Sequence, residues 1–250
     1  MKLTIITAAY NAESTITGCM ESILSQTNSS FEHILVDGGS TDRTVEIVKE
    51  MSPNTKVVSE EDDGLYHALN NGLDLATGEV IGFLHADDRF VHAGVTAKII
   101  EVMEDDEVDG LYGDLIYVRI GGRLLRQWKA GRYHQALLGR GWMPPHPTLF
   151  LRSQIYARYG RFDTSYRIAA DYDFVLRILK DNLVRLHYIP HTMVEMRVGG
   201  ISNRGIYNIV KKSAEDMRAV KRNGTGLPFL VVVMKNFRKS GQFFIRRGVG

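Results

Sequence analysis

A single cysteine, Cys19, among 250 residues excludes any disulfide within the chain, and a reducing, cytoplasmic compartment is the expectation that follows. Long apolar runs are missing too. A membrane-crossing helix needs about 20 consecutive apolar residues, whereas the longest apolar stretch here runs only from Leu227 to Met234. The opening run Leu3-Thr4-Ile5-Ile6 is too short for the apolar segment of a secretion signal. Internal repeats and low-complexity tracts are absent, which argues against solenoids and propellers. Net charge is small, at +2, but unevenly placed. Residues 203–250 hold 11 Lys and Arg against 2 Asp and Glu, so this tail stands at +9 and the rest of the chain at −7. That asymmetry points to an anionic partner for the tail.

What is present is an alternation of strand and helix signals in the first hundred residues. Leu3–Thr7, His33–Val36, Lys56–Ser59 and Val80–Leu84 read as strands. Between them, Ser14 to about Gln26, with Ser14 as cap, then Thr41–Met51 and Leu65–Ala76 read as helices. Strands alternating with helices of this length imply βαβ units and a mostly parallel sheet. The second half is less regular. Leu111–Ile120 and Arg123–Trp128 read as paired strands joined at Gly121-Gly122, and Met143-Pro144-Pro145-His146-Pro147 reads as a rigid loop. Asp173–Lys180 has helical spacing, Val184–Met196 reads as a strand pair or one long strand, and Ile206–Val220 reads as a basic helix. The expected division is 1–110, 111–202 and a tail, 203–250.

In open α/β sheets ligands bind at the carboxyl ends of the strands. Three such ends carry polar clusters: Tyr10-Asn11, Asp37-Gly38-Gly39-Ser40 and Asp87-Asp88. Adjacent carboxylates repel each other, and a hard divalent cation, Mg2+ or Mn2+, removes that cost while bridging to a diphosphate. Asp37 offers an acceptor for a nucleobase N–H, although Asp-Gly is also an ordinary turn pair. Tyr10 offers a stacking face, or a place in the core. Asp63 is either the cap of the third helix or a nucleotide contact. Asp171, in Ala170-Asp171-Tyr172-Asp173, is placed to deprotonate an acceptor hydroxyl, or to cap a helix as an acid in its first turn.

Taken together these residues resemble the family 2 glycosyltransferases of the GT-A fold. The carriers are Thr7-Ala8-Ala9-Tyr10-Asn11, Val36-Asp37-Gly38-Gly39-Ser40-Thr41-Asp42, Asp63-Gly64-Leu65-Tyr66, Gly78-Glu79 leading to Leu84-His85-Ala86-Asp87-Asp88, Arg161-Phe162-Asp163 and Ala170-Asp171-Tyr172-Asp173. The segments Asp63–Tyr66 and Gly199-Gly200-Ile201-Ser202 look most like bacterial enzymes of capsule, colanic acid and O-antigen assembly. The resemblance implies a Rossmann-like, mostly parallel sheet with a mixed acceptor-side half, and an inverting transfer of a hexosyl group from a UDP- or GDP-sugar. It also implies residue roles. Ala8, Tyr10, Asp37 and Asp63 would line the nucleotide, Asp87 the ribose or the metal shell, and Asp88 the Mn2+ or Mg2+. Asp171 would be the general base. Where many relatives carry Glu before the base, this chain has Ala170, so Asp173 stays open beside Asp171 as the residue facing the acceptor, with His146 a further acceptor or phosphate contact.

Two other readings compete. A sugar-1-phosphate nucleotidyltransferase would carry a glycine-rich loop with an arginine after the first strand, and here Ala8-Ala9-Tyr10-Asn11 stands there. A non-catalytic nucleotide-sugar binder would have lost acids that this chain retains. For the tail, basic residues flank and interleave with Leu227–Met234, Phe237 and Phe243-Phe244-Ile245, the pattern of a segment lying on an anionic membrane. A lipid-linked glycan acceptor on the inner face of the cell membrane fits that pattern. Nucleic acid does not, because the tail has no nucleic-acid module.

Overall fold

The computed structural model describes residues 1–28, 30–119, 121–197 and 205–240. Strands β1 (Leu3–Ala9), β2 (Phe31–Asp37), β3 (Lys56–Ser59) and β4 (Val80–Phe83) pair in parallel in the order β3-β2-β1-β4. The helices α1 (Glu13–Leu24), α2 (Thr44–Met51) and α3 (Leu65–Leu75) connect them. Every residue of β1 is buried, because alternate side chains enter separate cores on the two faces. Ile6 and Ala8 pack with Tyr66 and Leu69 of α3. Leu3 and Ile5 pack with Ile16, Met20 and Ile23 of α1. The one buried histidine in β2, His33, lies 3.0 Å from both Thr7 Oγ1 and Thr55 Oγ1. Burial pushes its imidazole down to about 4, so it is neutral there at pH 7.

Beyond β4 the sheet changes character. β8 (Phe150–Arg152) runs antiparallel to β4 and to β6 (Gly110–Val118). β9 (Leu186–Arg197) is one long strand parallel to β6. β5 (Asp88–Phe90) is antiparallel to β9, and β7 (Leu124–Trp128) pairs with β6 off the main path. The result is a nine-stranded mixed sheet. The crossing from the parallel to the mixed half depends on Gly82, where a Cβ would lie 2.1 Å from the Phe150 ring. Any side chain there would force β8 away from β4. Helices α4 (Val95–Met103) and α5 (Ser153–Tyr159) had no counterpart in the sequence reading.

The basic tail folds back on the body. α7 (Gly205–Asn223) and α8 (Pro228–Ser240) pack with α6 (Ala170–Leu179) and the 3-10 turn at Gln135–Arg140. Ala219, Val220 and Val231 join the core that contains Tyr172 and Val175. Lys235 and Asp216, both buried, pair at 2.7 Å. The Leu227–Met234 run is helical from Pro228, a residue preorganised for the first helical position. None of the described helices is long and apolar enough to cross a membrane. Gly199–Ser202 of the sequence resemblance lies outside the described residues.

Candidate active site

The carboxyl ends of β1 and β2 are bound to each other by side chains. Asn11 holds φ at +46°, a left-handed conformation asparagine tolerates. Its N–H donates to Ser40 Oγ at 2.8 Å, and its Oδ1 accepts from Thr41 N–H at 2.9 Å. Ala12 N–H donates to Thr44 Oγ1 at 2.8 Å and Glu13 N–H to Asp42 Oδ2 at 3.0 Å. These bonds cap α1 from the next loop. Ser14, the expected cap, makes none of them, since the helix starts one residue before it.

Asp37 is 1% exposed. Its carboxylate accepts from Ser40 N–H at 2.9 Å, from Ser40 Oγ–H, and from Ser59 Oγ–H at 2.6 Å. It therefore organises its own turn and leaves room for about one further donor. Ala8 is buried in β1 opposite Val36, with Ala9 the neighbour of Asp37, while Tyr10 follows the strand end and is 63% exposed. The expectation that Asp63 caps α3 is corrected: the N-cap is Gly64 at φ +119°, and Asp62 Oδ1, not Asp63, accepts Gly64 N–H at 2.8 Å. Asp63 is exposed on the loop that follows β3.

At the end of β4 the chain turns through His85–Asp88, closed by Asp88 N–H donating to His85 O at 2.9 Å. Asp87 lies partly exposed in that turn. Asp88 opens β5 and is fully buried, and neither carboxylate oxygen has a hydrogen-bond partner. Burial and the neighbouring Asp87 charge push its carboxyl well above the usual range. Among the described residues no three His, Cys, Asp or Glu side chains form a metal cage. Mg2+ and related ions are commonly held by one or two carboxylates, with water and substrate phosphates completing the shell. A buried carboxylate without a partner in the polypeptide fits one such ligand.

The remaining acid arrives from the far side of the sequence. Asp171 stands in the first turn of α6, half-buried, with Oδ1 accepting Tyr172 N–H at 2.8 Å and lying 3.3 Å from Tyr66 OH. Tyr66 OH also donates to Ile168 O at 2.8 Å, so α3 grips the entry to α6. Burial opposes ionisation of Asp171, but the Lys212 charge foremost, with His146, Lys235 and the Tyr172 N–H, holds its carboxyl below the usual range. Burial foremost, opposed by the Asp171 charge and aided by His85, brings His146 down to about 4, so at neutral pH the lysines supply that effect. His146 stacks on Phe83 at 5.3 Å and lies 6.0 Å from His85, centroid to centroid. Burial lowers the pKa of His85, while the Asp87 and Asp171 carboxylates both pull it upward. One imidazole thus feels both acids, which are 84 positions apart in sequence.

Asp173, the other acid left open for the acceptor side, lies in the interior. It is completely buried, pairs with Arg177 at 3.2 Å and accepts from Asn223 Nδ2 at 3.0 Å. A residue two positions along a helix points to a different side, and here that side is the α6–α7 contact. His85, Tyr66 and Lys212 surround the site without having been singled out. His85 and Tyr66 sit inside motifs already quoted, whereas Lys212 registered only as tail charge.

The chain is similar to known glycosyltransferases. A PGL/p-HBAD biosynthesis glycosyltransferase of Mycobacterium bovis (strain BCG / Pasteur 1173P2) is 34% identical over 215 residues, 80% of this chain and 78% of that protein. An uncharacterized glycosyltransferase of Mycobacterium tuberculosis (strain CDC 1551 / Oshkosh) is 31% identical over 178 residues, 70% of this chain and 68% of that one. The mannosyltransferase PcManGT from Pyrobaculum calidifontis, solved with GDP-Man and Mn2+, superposes with a TM-score of 0.66 at 19% identity, covering 94% of this chain and 69% of its own. S. aureus TarS 1-349 in complex with UDP-GlcNAc superposes at 0.63 and 14% identity, covering 98% and 93%. The fold is therefore the GT-A glycosyltransferase fold. Residues 4–164 match the model of Glycosyl transferase family 2, and with the mycobacterial relatives this shows that the chain belongs to that family.

Proposed function

We propose that this glycosyltransferase moves a hexosyl group, with inversion, from a UDP- or GDP-sugar to a hydroxyl of a lipid-linked glycan in bacterial surface polysaccharide synthesis. The observation that carries the reading is the convergence of Asp171, held ionised, with the Asp87-Asp88 turn around His85. Asp171 takes the proton of the acceptor hydroxyl as its oxygen attacks the anomeric carbon. The bond from that carbon to the diphosphate oxygen breaks on the opposite face, and the nucleoside diphosphate leaves. Tyr10 supplies a ring for the base, Asp37 its free acceptor position, and Ala8 and Asp63 flank the nucleotide. Asp87 and Asp88 would hold Mn2+ or Mg2+, whose charge offsets that of the leaving diphosphate. The neighbour solved with GDP-Man and Mn2+ supports that assignment. The test is a thermal-shift panel of UDP-glucose, UDP-N-acetylglucosamine and GDP-mannose, each with and without Mn2+. A true donor at 100 times its dissociation constant stabilises by about 2.7 kcal/mol. If none of the three stabilises the protein or yields free nucleoside diphosphate with Mn2+ present, the reading is wrong.

Access to a lipid-linked acceptor is supported by α8. Its inner side buries Val231, Val232 and Lys235, while Leu227, Phe229, Leu230 and Met234 stay exposed, with Lys221 and Arg238 exposed nearby. A helix end that is apolar outward and flanked by cations suits an anionic bilayer surface, where each cation adds about 1 kcal/mol. Flotation with phosphatidylglycerol vesicles should show binding that grows with anionic lipid and weakens in high salt. Phe229→Ser with Leu230→Ser should abolish it. These two side chains suit the test better than deleting the helix, because Val231 belongs to the core. Indifference of the intact protein to such vesicles at low salt would end the membrane reading.

A further inference from the structure

We infer that Glu215, on α7, is a positioning residue for Asp171. The inference rests on Asp171 being the base and extends that reading to the tail. The entry to α6 has no cap of its own: Ala169 occupies the N-cap position and makes no side-chain cap bond. Glu215, from 46 residues away, instead holds the three amides that lead into the helix. Its Oε1 accepts Arg167 N–H at 3.1 Å, and its Oε2 accepts Ile168 N–H at 2.8 Å and Ala169 N–H at 3.0 Å. One carboxylate thereby satisfies three consecutive amides at the positive end of a helix, where its charge is also favoured. On the other side of the same strip, Tyr66 OH bonds Ile168 O at 2.8 Å. Residues 167–169 are thus clamped from both sides, and Asp171 follows two residues later.

The rest of α7 and α8 holds the next residues of α6. The Lys235 ammonium lies 3.2 Å from the Tyr172 ring centroid and is fixed by Asp216 at 2.7 Å. Asn223 donates to Asp173 at 3.0 Å. Residues 167–173 are therefore registered by the tail from one end to the other, and Glu215 is the contact that anchors the stretch leading into the turn with Asp171. Misplacing a reacting group by about 1 Å can cost about 100-fold in rate, and Glu215 prevents such a displacement without touching either substrate.

The test is a double-mutant cycle on nucleoside diphosphate release, with UDP-glucose, UDP-N-acetylglucosamine and GDP-mannose as donors and Mn2+ present. Glu215→Ala should lower kcat by about 10- to 100-fold and leave the donor dissociation constant, read by thermal shift, within about twofold. In an Asp171→Asn background the same change should cost nothing further, because Glu215 acts only through Asp171. Glu215→Gln, which keeps one acceptor oxygen, should recover part of the rate. If Glu215→Ala does not fold, Glu215→Gln is carried through the cycle in its place, with a smaller loss expected and the same lack of additivity. An unchanged kcat in a folded Glu215 variant overturns the inference, and so does an equal loss in the Asp171→Asn background, while the base assignment survives both. Full turnover of Asp171→Asn alone overturns the base assignment and this inference with it.

Discussion

Asp171→Asn should lower turnover by about two to four powers of ten, the range over which a positioned general base contributes. Asparagine keeps the size of the side chain and a carbonyl oxygen for the Tyr172 N–H and the Tyr66 hydroxyl, which now reach Asp171 Oδ1. What disappears is the capacity to take a proton. Donor affinity should stay within a factor of two, because Asp171 lies on α6 while the proposed nucleotide contacts come from the ends of β1 and β2. Asp173→Asn should behave differently. It weakens a buried pair with Arg177, and the expected result is a lowered melting temperature. Should Asp173→Asn reduce kcat more than Asp171→Asn in protein that remains folded, the base must be reassigned.

The second large effect is expected at the acid pair. Asp88→Ala should abolish Mn2+-dependent turnover and leave the metal-free protein at least as stable as before. The reason is the unpartnered state of both Asp88 oxygens. An unsatisfied buried polar group costs about 1–3 kcal/mol, and alanine removes it. Asp87→Ala, at the partly exposed member of the pair, should also lose turnover, with little change in stability. Full activity in excess chelator would rule out a metal role for both residues. Loss confined to Asp87→Ala would move the ion to Asp87 and leave Asp88 as a structural acid.

The parallel half of the fold was legible because its signals are local. Apolar strands separated by amphipathic helices specify βαβ units whatever the rest of the chain does, and polar residues at three strand ends locate the cleft. What escaped was supplied by partners distant in sequence. Ser14 reads as a cap because serine caps helices, yet α1 is capped by Asp42 and Thr44. Asp63 and Asp62 are equally good caps on paper, and the turn into Gly64 chose Asp62. Asp171 and Asp173 are indistinguishable by composition, and the packing of α7 separated them by enclosing one. The tail misled most, because its lysines were counted as a surface field. Lys235 is interior and paired, a state that no charge count reveals.

The cap on α6 also bears on how the protein is made. Strands β1 to β4 and their helices are translated by Phe83, but one face of β1 is closed by a core that includes Ala219, Val220 and Val231 of the tail. The amides of residues 167–169 must wait for a carboxylate translated 46 to 48 positions later. A nascent chain stalled before Glu215 would thus hold the helix that carries Asp171 with the three amides leading into it still bonded to water. On the proposed role of Asp171, competence for transfer arrives late in translation, with α7.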